Sequence, residues 1–118
     1  LLKSEGYQMI LLSGGYLPFV ELIGDRFEFN ELIGSVIQYT ENGYIDYNDP
    51  VEVIMGDKKL GALIKRFENI EVDWENSVAL ADRYYDIKLL SQVGHPIAVR
   101  PDQNLKVHAK EYGWEIIE

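Results

Sequence analysis

Cysteine is absent from the chain. That excludes disulfides, zinc-thiolate sites and a cysteine nucleophile. A reducing compartment suits such a chain, and a cytoplasmic location is the expectation. Basic residues are also scarce, 11 against 20 acidic ones, for a net charge of -9. A nucleic-acid backbone needs a basic face and none is visible, which argues against nucleic acid as a partner. The same balance argues against anionic membrane surfaces. Long apolar runs are lacking. The longest near the start, Met9 to Leu12, is far too short to cross a bilayer. Glu5 and Gly6 interrupt any apolar leader and no basic segment precedes one, so no signal peptide is expected. Low-complexity stretches, linkers and internal repeats are missing too.

What is present suits a folded domain. The 118 residues are 47% hydrophobic, enough for one domain or a large piece of one. Leu1 to Glu5 reads as the end of a helix stopped by Gly6. Tyr7 to Leu12 is a short apolar run closing on Ser13-Gly14-Gly15, the pattern of a buried parallel strand with a glycine turn. Leu17 to Ile23 has helical spacing, with Pro18 in the first turn. Ser35 to Thr40 and Tyr44 to Tyr47 flank Asn42-Gly43, a hairpin signal. Asp57 to Phe67 is amphipathic, with Leu60, Leu63, Ile64 and Phe67 on one face. Ser77 to Ala81, Ile97 to Val99 and Trp114 to Ile117 read as strands. Ile87 to Val93 and Leu105 to Tyr112 read as helices stopped by Gly94 and Gly113. Strands alternating with helices predict a three-layer α/β, Rossmann-like domain, a parallel sheet flanked by helices with a β-hairpin insertion.

In open α/β sheets ligands sit at the carboxyl ends of the strands. Ser13 follows the first strand, Asp82 ends the second, and Lys59 stands near the start of the helix between them. Ser13-Gly14-Gly15 offers a hydroxyl and open amides, an anion site or simply a turn that needs glycine. Leu12-Ser13-Gly14-Gly15 also matches the signature of transporter ATPases, but Tyr16 stands where glutamine should follow, and no P-loop accompanies it. Asp82 and Asp86 are oxygen ligands that suit Mg2+, or else a helix cap and a solvated carboxylate. Lys59 can offset a phosphate's charge, or be solvated like its neighbour Lys58. His95, in the turn Gly94-His95-Pro96, and His108, on a surface helix, show no catalytic partner. Trp74 and Trp114 read as packing residues.

The order of these pieces resembles the haloacid dehalogenase superfamily, and within it the phosphoserine phosphatase branch. Met9 to Gly15 looks like the second motif, a strand ending in Ser or Thr. Asn30-Glu31-Leu32 and the Asn42-Gly43 hairpin look like the segment that follows. Gly56-Asp57-Lys58-Lys59-Leu60 looks like the third motif and Ala81-Asp82-Arg83-Tyr84-Tyr85-Asp86 the fourth. Val93 to Asp102 and Tyr112-Gly113-Trp114 resemble the tail of the same branch. Ala81 and Arg83 depart from the usual Gly and Ser around the metal-binding aspartate.

The resemblance implies a Mg2+-dependent phosphomonoester hydrolase acting on a small phosphorylated metabolite. Ser13 and Gly14 would bind phosphate. Lys59 would stabilise the nucleophile and the transferring phosphoryl group. Asp82 and Asp86 would serve the metal. In the family an aspartate of the first motif attacks phosphorus and forms an aspartyl-phosphate. No Asp-x-Asp strand precedes Ser13 here. Residues 1–118 therefore read as a partial core domain holding the second to fourth motifs. The first strand and cap would lie in about 80 to 100 residues upstream, judged from usual domain sizes. This chain alone is then expected to be inactive. The alternative is a non-catalytic binding module that has lost the nucleophile. A receiver-like signalling domain needs a phosphorylatable aspartate at the end of an early strand, where Ser13 stands instead. Oligomeric state is left open.

Overall fold

The computed structural model describes residues 5–36, 41, 42, 44 and 54–118. They fall into two compact units, Leu1–Ile54 and Met55–Glu118. Both are α/β, with parallel strands joined through helices.

Among the described residues the first unit holds one strand-helix-strand turn: β1 (Ile10–Tyr16), α1 (Leu17–Arg26) and β2 (Glu31–Ser35). The two strands are parallel, with Ile10, Leu11 and Leu12 opposite Glu31, Leu32 and Ile33. Asn30 fixes where the pairing starts. Its side-chain oxygen accepts the Met9 N–H at 2.6 Å, and its own N–H donates to the Met9 carbonyl at 2.7 Å. Ser35 closes the far end. Its hydroxyl donates to the Gly14 carbonyl at 2.8 Å and accepts the Ile54 N–H at 2.9 Å. A buried hydroxyl with both roles filled leaves no unmet polar group there.

Two expectations change in this unit. The strand does not close at Leu12 but runs through Ser13-Gly14-Gly15 to Tyr16, with its register shifted between Leu12 and Tyr16. Residues 31–35 form a strand that the sequence pattern did not reveal, because Glu31-Leu32-Ile33-Gly34-Ser35 lacks alternation and contains a glycine. The expected hairpin around Asn42-Gly43 and the helix end at residues 1–4 lie outside the described residues.

The second unit contains α2 (Asp57–Arg66), β3 (Val78–Ala81), a 3-10 turn (Tyr84–Asp86), α3 (Ile87–Gln92), β4 (His95–Val99), α4 (Gln103–Tyr112) and β5 (Glu115–Ile117). The sheet order is β3-β4-β5, all parallel. Helix α3 joins β3 to β4, and α4 joins β4 to β5. Leu90, Ala98, Leu105 and Ala109 are fully buried at its centre, with Ala79, Ala81, Ile87, Trp114 and Ile116 packed around them. Burying a leucine side chain contributes about 1.5–3 kcal/mol. Small alanines on β3, β4 and α4 let helix and sheet approach closely. Helix α4 ends on Gly113 at φ 70°, a left-handed cap that glycine takes without a steric penalty.

His95 opens β4 rather than sitting in a turn. Pro96 follows it on the middle strand, although proline cannot donate to a ladder. The His95 N–H points toward β3, to the Ser77 carbonyl at 3.1 Å. Alternation turns the Pro96 nitrogen toward β5, whose pairing begins only at Ile97 opposite Glu115. No hydrogen bond is lost. Among the described residues no helix is long and apolar enough to cross a membrane.

Candidate active site

Lys59 stands in the first turn of α2, after Gly56 at φ 55° opens the helix. Its neighbour Lys58 is exposed. Lys59 instead reaches inward, and its Nζ donates to Asp86 Oδ2 at 3.0 Å. The two side chains are only 14% and 5% exposed. The Tyr85 ring lies 5.8 Å from the same ammonium and shields it further. The solvated alternative for Lys59 is therefore not the one the fold adopts.

Asp86 takes the N-cap position of α3, yet its side chain caps nothing. One oxygen holds Lys59. The other, Oδ1, is buried and accepts no hydrogen bond among the described residues. A buried carboxylate oxygen without a donor is costly unless something else meets it.

Asp82 follows the last residue of β3 and is exposed at that strand's carboxyl end. The loop behind it is held by Asp102, a residue the sequence reading placed only within the tail segment. Asp102 caps α4 by accepting the Leu105 N–H at 2.9 Å through Oδ1. Its Oδ2 accepts the Tyr84 N–H at 3.0 Å. Its own N–H donates to the Asp82 carbonyl at 2.9 Å. The Tyr84 and Leu105 amides hold the Asp102 carboxyl below its ordinary pKa, with the Arg83 charge adding to them against a small opposing effect of burial. The signal for Asp102 was present in the sequence: Pro-Asp ahead of an amphipathic run is an N-cap pattern.

Ser13 and Gly14 belong to the first unit. Ser13 Oγ accepts the Gly15 N–H at 3.0 Å, and the Gly14 carbonyl accepts the Ser35 hydroxyl. Gly15 thus turns its amide toward Ser13. Among the described residues the Ser13 hydroxyl donates no hydrogen bond, so its proton can meet an oxygen acceptor there.

The donors present fit a Mg2+ ion in chemistry. Mg2+ takes one or two carboxylates and fills its remaining positions with water and substrate phosphate. Asp82 offers an exposed carboxylate and Asp86 an unmet oxygen. No group of three or more acidic or imidazole side chains gathers among the described residues, so a larger protein cage is not formed by them.

The His95 side chain is exposed at the start of β4. His108 stacks on Tyr112 at 4.4 Å and lies 4.9 Å from the Trp114 ring, so it is half-buried rather than on an open helix face. Trp114 packs on the core, as read from the sequence.

The second unit thus pairs a buried Lys59 with Asp86, four residues past the strand-end Asp82. The chain belongs to the haloacid dehalogenase-like hydrolase family, whose model matches residues 1–91. It is 27% identical over 113 residues to a phosphoserine phosphatase of Mycobacterium tuberculosis, covering 96% of this chain and 36% of that protein. A solved structure titled as a substrate-bound phosphoserine phosphatase complex superposes with a TM-score of 0.75 at 25% identity, covering 99% of this chain and 53% of the other. A protein of unknown function from Bordetella pertussis gives 0.83 at 20% identity, covering 98% and 53%, and shows the fold alone. The chain thus spans about a third of the curated relative's length.

Proposed function

We propose that the full-length protein is a Mg2+-dependent phosphomonoester hydrolase of the phosphoserine phosphatase kind, acting on a small phosphorylated metabolite. The buried Lys59–Asp86 pair carries this reading. An ordinary surface lysine has no reason to be drawn in beside the loop that presents Asp82. A lysine assigned to phosphoryl transfer must be held still, and its hydrogen bond to a buried carboxylate does this.

In this reading the attacking carboxylate comes from an aspartate upstream of Leu1, forms an aspartyl-phosphate, and water then releases phosphate. Lys59 lies between that carboxylate and the phosphoryl oxygens and lowers the cost of bringing two anions together. Ser13 donates its hydroxyl proton to a phosphate oxygen, with the Gly14 backbone beside it. Asp82 and the free oxygen of Asp86 would hold Mg2+, directly or through its water. Bound there, the ion supplies charge for the phosphate and orients it. Local cation charge is needed, because the chain as a whole is strongly acidic and would otherwise repel an anionic substrate.

The test is kinetic. In the full-length protein, Lys59→Ala and Asp82→Asn are each expected to lower kcat for p-nitrophenyl phosphate hydrolysis about 100-fold or more. Lys58→Ala is expected to stay within about twofold, as an exposed charge. A Lys59→Ala protein with the parent's rate would overturn the assignment. A full-length protein with no Mg2+-dependent turnover would favour a binding module instead.

A further inference from the structure

We propose that Asp102 is a positioning residue for the metal site, holding the loop that aims Asp82 from the N-terminus of α4. The inference rests on the reading of Asp82 as a metal ligand. A helix cap needs one side-chain oxygen and one amide. Asp102 does more than that. While Oδ1 caps α4, Oδ2 takes the N–H of Tyr84, 18 residues earlier in the chain. The Asp102 N–H takes the Asp82 carbonyl as well. Arg83 is thereby bracketed, with the backbone before and after it fixed to a single residue. On its other side Asp82 adjoins Ala81, the last residue of β3.

The turn that delivers Asp102 carries a cost. Arg100 takes φ 42°, a left-handed conformation unfavourable for any residue but glycine. Its N–H is used by the Ile117 carbonyl at 2.6 Å, which anchors the turn to β5. A strained residue persists where surrounding contacts over-determine it. Behind the clamp, Leu105 and Ala109 of α4 are fully buried, so the clamp is mounted on the rigid part of the unit. Partners that orient a metal-ligating side chain commonly change metal affinity 10–100-fold when removed.

Two substitutions break the clamp from opposite sides. Asp102→Asn keeps an oxygen for the Leu105 amide, since asparagine caps as well as aspartate. It sets an amide donor against the Tyr84 N–H, or loses that bond. Tyr84→Pro deletes the N–H itself and leaves Asp102 intact. Tyr84 opens a 3-10 turn after an extended Arg83, where proline fits. Mg2+ binding to the full-length protein is measured by titration calorimetry, with melting temperature recorded for each variant. Both variants are expected to bind Mg2+ about 10-fold more weakly, and amide exchange at residues 82–86 is expected to speed up in Asp102→Asn. Asp82→Asn, measured alongside, is expected to lose binding. If Asp82→Asn loses binding while both clamp variants bind as the parent does, the positioning role is overturned and the site reading stands. If Asp82→Asn binds as the parent does, the site reading fails and the positioning role with it.

Discussion

A single carboxylate can report its environment through acid stability. The amides around Asp102 favour its charged form, so its folded pKa lies below that of the unfolded chain. Such a group stabilises the fold fully above the unfolded value and ceases to do so as pH falls through the folded one. Asp102→Asn should therefore be less stable than the parent near neutral pH. The gap should narrow as pH drops below about 4, the ordinary aspartate range. Thermal melts followed by circular dichroism between pH 7 and pH 2.5 check this. A gap that widens toward acid would contradict it. The motif order singled out Lys59, Asp82 and Asp86. It could not show that Asp86 spends one oxygen on Lys59 and buries the other without a donor among the described residues. Contacts between residues 27 apart carry no periodic signature, so they emerge only once the chain is folded.

Helices and strands differ in how plainly they are written. Helices α2 and α4 were readable because apolar residues recur at helical spacing and glycine ends one of them. Strands β3, β4 and β5 were readable as short apolar runs between those helices. Strand β2 was not, since its pairing with β1 rather than its own pattern makes it extended. Helix α1 was readable in type but not in orientation. Val20 and Gly24 turn inward, while Phe19, Leu22 and Ile23 are 65%, 69% and 51% exposed. Two glycines separate backbone fit from helix propensity. A Cβ on Gly94 would collide with the backbone of Glu75, whereas one on Gly61, inside α2, meets nothing. Gly94→Ala should lower stability by about 1–3 kcal/mol as overpacking does. Gly61→Ala should raise it by about 0.5–1 kcal/mol. Urea unfolding midpoints decide, and a neutral Gly94→Ala would show that the 75–94 contact yields easily.

At the scale of the whole molecule, composition excluded more than it identified. The charge of -9 spoke against a nucleic-acid partner and the absent cysteines left these 118 residues no thiol, but neither could name a reaction. The ordered motifs supplied the family, which the match over residues 1–91 establishes. The proposed mechanism needs an attacking aspartate that these 118 residues do not provide ahead of Ser13. The 118-residue chain alone should therefore release no phosphate from p-nitrophenyl phosphate above the buffer rate, with or without Mg2+, and the full-length protein should. Turnover by the short chain would mean that a residue within it attacks phosphorus. Within the second unit, helix α4 fills the centre with Leu105 three positions after it grips the Asp82–Tyr84 backbone. Anything that melts that centre must also release the loop, so denaturant should extinguish metal affinity and tertiary structure in one shared transition.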